Sequence, residues 1–253
     1  MPSNLIIDRF LRFRGDSQHE ANVTGLMQEK KRHDYDRFTG ITLDTTNRWA
    51  TSVPGTSDSI AISEVQGGSA LITTGTADND SCMLAGAIIY SGDNLAVVEF
   101  RITITDVSGT GVFVGFSDAK SEANNSLAIH YPADSLTTVA SNAAGFVIDA
   151  DHTSSLIMCA SVADDSDTTP VSTGVTWTDG QTKNLRVFVD TEETTDDTDS
   201  GFATFVLDGD VVAKIKESVT SATLLCPTVQ AITRAGDGSN TVRVHSFDAW
   251  QDD

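Results

Sequence analysis

Oxygen ligands are the most abundant chemical resource in this chain, concentrated in DTEETTDDTDSG (Asp190 to Gly201), ADDSDTT (Ala163 to Thr169) and ADNDS (residues 77–81). Loop aspartates suit a hard cation such as calcium, and Asp196, Asp197 and Asp199 are the first candidates for metal ligands. DDTDSG lacks the glutamate that closes an EF-hand loop, so solvated acidic loops are the simpler expectation and no cofactor is expected. Hydrolysis of a glycosidic bond would need two carboxyl groups facing one cleft. Glu99 is isolated, Asp149 and Asp151 have no glutamate beside them, and Glu192 and Glu193 lie in a loop.

Nucleophilic chemistry has as little support. His19, His33, His130, His152 and His245 are scattered, without a GxSxG elbow. His130 in LAIHY and His245 in VRVHSF are expected to be strand residues with satisfied ring nitrogens. Cys82, Cys159 and Cys226 form no CxxC and have no histidine at ligand spacing, which predicts buried free thiols. Sugar binding would call for exposed aromatics near polar loop groups. Of Trp49, Trp177 and Trp250, only Trp177, in GVTWTDGQT, sits in an evident loop, making it the single glycan-stacking candidate. No catalytic residue is expected, and the chain reads as a non-enzyme.

The elements that position these residues are short strands. From Gly40 onward, β-branched runs are bounded by Gly, Asp, Asn and Ser, and strands are predicted near residues 41–45, 59–64, 69–74, 82–90, 95–106, 110–117, 126–131, 144–149, 155–163, 184–190, 202–208, 211–216, 228–234 and 241–250. Regular spacing with no long amphipathic helix indicates a sandwich or barrel. In LAVVEFRITITD, Val98, Phe100, Ile102 and Ile104 share one face while Glu99, Arg101, Thr103 and Thr105 share a wet one. In TGVFVGFS, Val112, Val114 and Phe116 oppose Phe113 and Gly115, and neither face is polar. Asp208-Gly209 in FVLDGDVVAKI supplies the positive φ angles of a two-residue hairpin turn.

Charge divides the chain. Its 253 residues carry a formal charge of −20, with 28 Asp against 8 Glu and only 6 Lys. Residues 1–40 are net +1 and residues 41–253 net −21. An acidic surface repels phosphate, so nucleic acid is not an expected partner. Leu5, Ile6 and Ile7 form too short an apolar run for a secretory signal of roughly 7 to 15 residues or a membrane span of about 18, so synthesis in a cytoplasm and no membrane partner are expected. Two helix-compatible stretches, LIIDRFLRF and VTGLMQEKKRHDYDRF, give residues 1–40 apolar anchors but no core of their own. This N-terminal docking arm is expected to seat Ile6, Phe10, Phe13, Leu26, Met27 and Arg32 on a partner, ahead of a domain at 41–253. The RGD tripeptide at Arg14 to Asp16 is read as a chance occurrence.

LAVVEFRITITD, VFVGFSDA, AGFVID, FVLDG and the closing VRVHSFDAW, in this order, resemble the concanavalin A-like, or laminin-G-like, jelly roll. In particular they are similar to the lectin-like structural proteins of tailed bacteriophage virions, over roughly residues 81–250. The resemblance implies an all-β, concanavalin A-like antiparallel β-sandwich and a virion location after assembly in the host cytoplasm. It implies a capsid decoration or cement protein, its arm anchored to the major capsid protein or another virion protein and its acidic jelly roll projecting outward. The alternative is a tail- or fibre-associated lectin-like module that binds a cell-surface glycan. Laminarinase-type enzymes of the same fold place their carboxylates as Glu-x-Asp-x-x-Glu on one strand, an array this sequence lacks. Such modules commonly trimerise, so a homo-oligomer is compatible with the resemblance.

Overall fold

The computed structural model describes residues 31–55, 57–63, 65–121, 126–152, 156–191, 201–234 and 239–252. They contain eighteen strands, β1 to β18 in chain order, nearly all in two packed antiparallel sheets. The first sheet runs β16 (Asp210–Ile215), β15 (Phe202–Leu207), β14 (Thr182–Asp190), β6 (Ala96–Ile104), β18 (Thr241–Asp252), β4 (Ser69–Thr73) and β3 (Ser59–Ser63), with β1 (Lys31–Asp36) also paired to β18. The second runs β12 (Ser166–Asp167), β11 (Leu156–Ala163), β10 (Ala143–Ile148), β7 (Thr110–Ser117), β17 (Cys226–Thr233), β5 (Ser81–Ala85) and β2 (Ala50–Ser52), with β13 (Val171–Thr176) on β11. A small ribbon joins β8 (Ile129–His130) to β9 (Thr137–Thr138).

Alternation explains what lies between the sheets. Val98, Phe100, Ile102 and Ile104 of β6 meet Val112, Val114 and Phe116 of β7 in one continuous core with Phe146, Phe205 and Phe247. Each such side chain, fully buried, contributes about 1.5 to 3 kcal/mol. The second face of β7 is buried too. Phe113 packs with Val147, Met158, Ala160, Val162 and Ile232 beneath Leu127, Ala128, Ile129 and Ala140 of the segment between β7 and β10. Gly115 lies opposite Gly145, and a Cβ at 115 would fall 2.2 Å from the Ala144 carbonyl oxygen, so the sheet closes there only without a side chain. The Asp208-Gly209 turn forms as expected, with φ of 52° and 101° between the paired Leu207 and Asp210.

Several expectations are corrected. KRHDYD, the end of the helix-compatible stretch, is strand β1, in register from Lys31 opposite Asp252 to Asp36 opposite Phe247. The reason is tertiary: on that side of the long strand β18, β4 covers only Thr241 to Val244, and β1 takes up the ladder from Phe247 onward. The sheet therefore reaches back across the boundary expected at residues 40 and 41. Asp34 and Asp36 tie β1 to the next segment, the first through Arg48 and the second by accepting the Trp49 indole N–H at 2.9 Å. ITLDT forms no strand, because Asp44 accepts the backbone N–H groups of Thr46 and Asn47 and closes a turn. CMLAGAIIY and SLAIHY shrink to β5 and β8, while β2, β9, β12 and β13 are additional strands. The anchors Ile6, Phe10, Phe13, Leu26 and Met27, the RGD tripeptide and the candidate ligands Asp196, Asp197 and Asp199 lie outside the described residues. Arg32 is exposed on β1, opposite Gln251. No helix among the described residues is long and apolar enough to cross a membrane.

Candidate functional site

Which surface is open to a ligand follows from what covers each sheet. The outer face of the second sheet is roofed by the segment carrying β8 and β9, held by Gln230, whose side-chain oxygen accepts the Ala128 N–H at 2.5 Å. Beside it, Met83, Ala85 and Cys226 pack under Ala50 and Ile88. Among the described residues no such roof lies over the outer face of the first sheet in its middle strands, where Glu99, Arg186, Phe188, Asp248 and Trp250 are half-buried and Arg101 and Tyr35 are exposed.

Register brings these residues into rows. Phe188, Val97, Trp250 and His33 stand side by side on β14, β6, β18 and β1. In the next row are Arg186, Glu99, Asp248 and Tyr35 on the same strands. Val97 is buried between the Phe188 and Trp250 positions. The His33 ring stacks on Tyr35 with centroids 5.7 Å apart and meets Trp250 edge-on at 6.5 Å. The Arg186 guanidinium lies 5.8 Å from the Phe188 ring centroid and 5.6 Å from that of Trp250, within cation–π range. It also donates to Glu99 across the strand pair.

The second ion pair of the patch is His33 with Asp248. Hydrogen bonding to Asp248 raises the His33 pKa above 6.5, against the opposing effect of burial. Further along the face the sign reverses. Burial, then the nearby Arg101 and Arg243, hold His245 below 6.5, and its Nε2 lies 2.8 Å from the Thr103 hydroxyl oxygen. Aromatic rings flanked by fixed hydrogen-bonding groups suit a ligand with apolar faces and hydroxyl edges. Glu99 and Asp248 sit opposite one another in register, yet each is already engaged by its own base.

Residues singled out in the sequence fare differently. Trp177 is 2% exposed and belongs to the inter-sheet core, its indole N–H donating to the Gln181 carbonyl at 3.1 Å, so it offers no sugar platform. Polar neighbours in sequence did not reveal that the ring turns inward. Cys82, Cys159 and Cys226 are free and buried as expected, and burial pushes the Cys82 thiol up to about 12 and that of Cys159 higher still. His245 is a strand residue with a partner, whereas His130 is satisfied on one side only. Its Nδ1 lies 3.1 Å from Arg234 Nη2, while its Nε2 is buried without a partner. Burial and then Arg234 hold the His130 pKa below 6.5. Arg234 itself is closed off, donating twice to buried Asp149, at 3.0 and 2.8 Å, and once to Asn79 at 2.7 Å. A polar cleft of about 840 Å³ at the sandwich edge, between Lys214, Lys216, Asp167 and Thr169, contains no aromatic wall. Among the described residues no group of three or more His, Cys, Asp or Glu is arranged to hold a metal ion.

Looking for a tryptophan in a loop selects Trp177 and leaves Trp250, on the closing strand, without a role. A signal existed: VRVHSFDAW and NLRVFVD alternate, which puts Asp248, Trp250, Arg186 and Phe188 on wet faces.

No protein-family model matches the chain, and no curated protein does. Solved structures match along nearly their whole lengths. The Emp47p carbohydrate recognition domain is 13% identical with a TM-score of 0.57, over 88% of this chain and 98% of that one. A LamA variant from Zobellia galactanivorans, in complex with laminaritriose and laminaritetraose, is 11% identical with a TM-score of 0.58, over 88% and 99%. An endo-β-1,4-glucuronan lyase from the fungus Trichoderma reesei is 8% identical with a TM-score of 0.55, over 87% and 94%. None of these three is described as a virion protein, and at such identities the likeness concerns the fold. The chain has the concanavalin A-like antiparallel jelly-roll fold.

Proposed function

We propose that the chain is a glycan-binding jelly-roll module whose ligand lies across the outer face of β14, β6, β18 and β1. The observation that carries this reading is the row holding Trp250 and His33 beside the row of Arg186, Glu99, Asp248 and Tyr35, on a face that no described segment roofs. Stacking of a sugar on an aromatic ring and hydrogen bonding to fixed charged groups would then divide the recognition. Solved carbohydrate-recognition and glucan-bound structures of the same fold support it. Binding is measured on an immobilised glycan array with the full chain and with Trp250→Ala. Loss of at least about tenfold in affinity, with unfolding temperature nearly unchanged, is expected. Undiminished binding by the variant would place the ligand elsewhere. The module is expected to leave its polysaccharide intact, so release of new reducing ends would replace this reading with an enzymatic one.

The wider setting proposed is a tailed-phage particle, on the resemblance carried by VFVGFSDA, FVLDG and VRVHSFDAW. A sugar-reading face favours a tail or fibre position over decoration of the capsid shell. Copy number relative to the major capsid protein separates the two: a few copies per particle support the tail or fibre, and hundreds support decoration.

A further inference from the structure

Charge is unevenly spread over this face, and Arg101 and Arg243 gather at the end away from Trp250. The chain is −20 overall, yet across β6, β14 and β18 the outward side chains between Thr103 and Asp248 include Arg101, Arg186 and Arg243 against Glu99 and Asp248, with Asp190 and Asp252 following on the far side of Phe188 and Trp250. Both carboxylates are engaged, Glu99 by Arg186 and Asp248 by His33. Arg101 is exposed, and among the described residues no carboxylate pairs with it. Among the described residues Arg243 donates to hydroxyls, those of Ser63 at 2.9 Å and Ser69 at 3.3 Å. His245 lies beside both, and its ionisation is disfavoured first by burial and then by the two arginines.

We propose that the ligand of this face is an anionic polysaccharide, with its carboxylate or sulfate groups held by Arg101 and Arg243 and a sugar ring seated against Trp250. The inference rests on the glycan-binding reading and names its substrate class. Val97, opposite Trp250, lies four residues from Arg101 along β6, about 13 Å at roughly 3.3 Å per residue, so one extended chain can meet both ends of the face. A neutral sugar would bury Arg101 without offering it a charge. An anionic sugar would form charge-assisted hydrogen bonds with it, in a fork geometry suited to carboxylate and sulfate alike.

The test measures binding of the full chain to a polyuronate, a sulfated polysaccharide and a neutral β-glucan by titration calorimetry, with Arg101→Gln, Arg101→Gln/Arg243→Gln and Trp250→Ala beside the parent. Thermal unfolding confirms that each variant folds. The expected result is binding of one or both anionic polymers, weakened about tenfold or more by Arg101→Gln and further by the double variant. A preference for the polyuronate assigns the carboxylate, and a preference for the sulfated polymer assigns the sulfate. If the neutral glucan binds as tightly as the anionic polymers and Arg101→Gln changes nothing, the charge inference is overturned while the glycan reading survives through its dependence on Trp250. If none of the polymers binds, or if binding ignores Trp250→Ala and both arginine substitutions, both are overturned.

Discussion

Replacing Asp149 by alanine is the most informative perturbation of the scaffold. Arg234 and Asp149 are 4% and 0% exposed in their side chains, so the substitution leaves a guanidinium inside the protein without the carboxylate that receives two of its N–H groups. Removing one partner of a buried pair costs about 3 to 5 kcal/mol. Asp149 also accepts the backbone N–H groups of Tyr131 at 3.0 Å and Asp151 at 3.2 Å, which adds to the loss. Asp151 stays 3.5 Å from Arg234 Nε and Asn79 keeps its hydrogen bond, which pulls the net effect toward about 3 kcal/mol. At about 2 to 4 °C per kcal/mol for a domain of this size, the unfolding temperature should fall by about 6 to 12 °C. Urea denaturation supplies the free energy directly, provided that the slope with denaturant is unchanged. Because Tyr131 adjoins β8, amide exchange should accelerate first in residues 127–131. A loss below about 1 kcal/mol would refute the argument; Arg234→Met/Asp149→Leu should recover the part due to the unpaired guanidinium but not the part due to the Tyr131 and Asp151 N–H groups.

Three further outcomes are expected. Gly115→Ala should destabilise by more than about 2 kcal/mol in the same assay, because its Cβ meets the Ala144 carbonyl and Gly145 Cα in the middle of a sheet that cannot part. The His33–Asp248 pair should make the docking of β1 pH-dependent: with the folded pKa above 6.5, its stabilisation is complete below 6.5 and is lost as pH rises through the raised value. An NMR titration of the His33 ring should show the raised midpoint, and Asp248→Asn should bring it back down. Native protein at pH 8 should resist a thiol-specific reagent at Cys82 and Cys159 and become reactive only on unfolding, since burial disfavours both thiolates. Rapid labelling of the folded chain would contradict the burial.

Much of the scaffold is legible before any coordinates. VFVGFSDA announces a strand apolar on both sides, and the structure gives each side its own layer, the inter-sheet core for Val112, Val114 and Phe116 and the roofed cluster for Phe113. Asp208-Gly209 announces its hairpin because a positive φ is a local requirement. The site is less legible. Looking for a loop tryptophan selects Trp177, which lies in the core, and passes over Trp250, which stands half-buried on the outer side of β18.

Alternation and turn chemistry depend on neighbours a few residues apart, so the all-β class, most strands and the wet side of β6 follow from local pattern. Partnership across the sheet does not. That KRHDYD is a strand depends on the ladder left open on β18 more than two hundred residues later, and which sheet face is roofed among the described residues depends on where residues 126–142 fold back. Thus Trp250, Phe188, Arg186, Glu99, Asp248 and His33, drawn from four strands, become one surface only through register, because residues on different strands become neighbours only once the sheet is assembled.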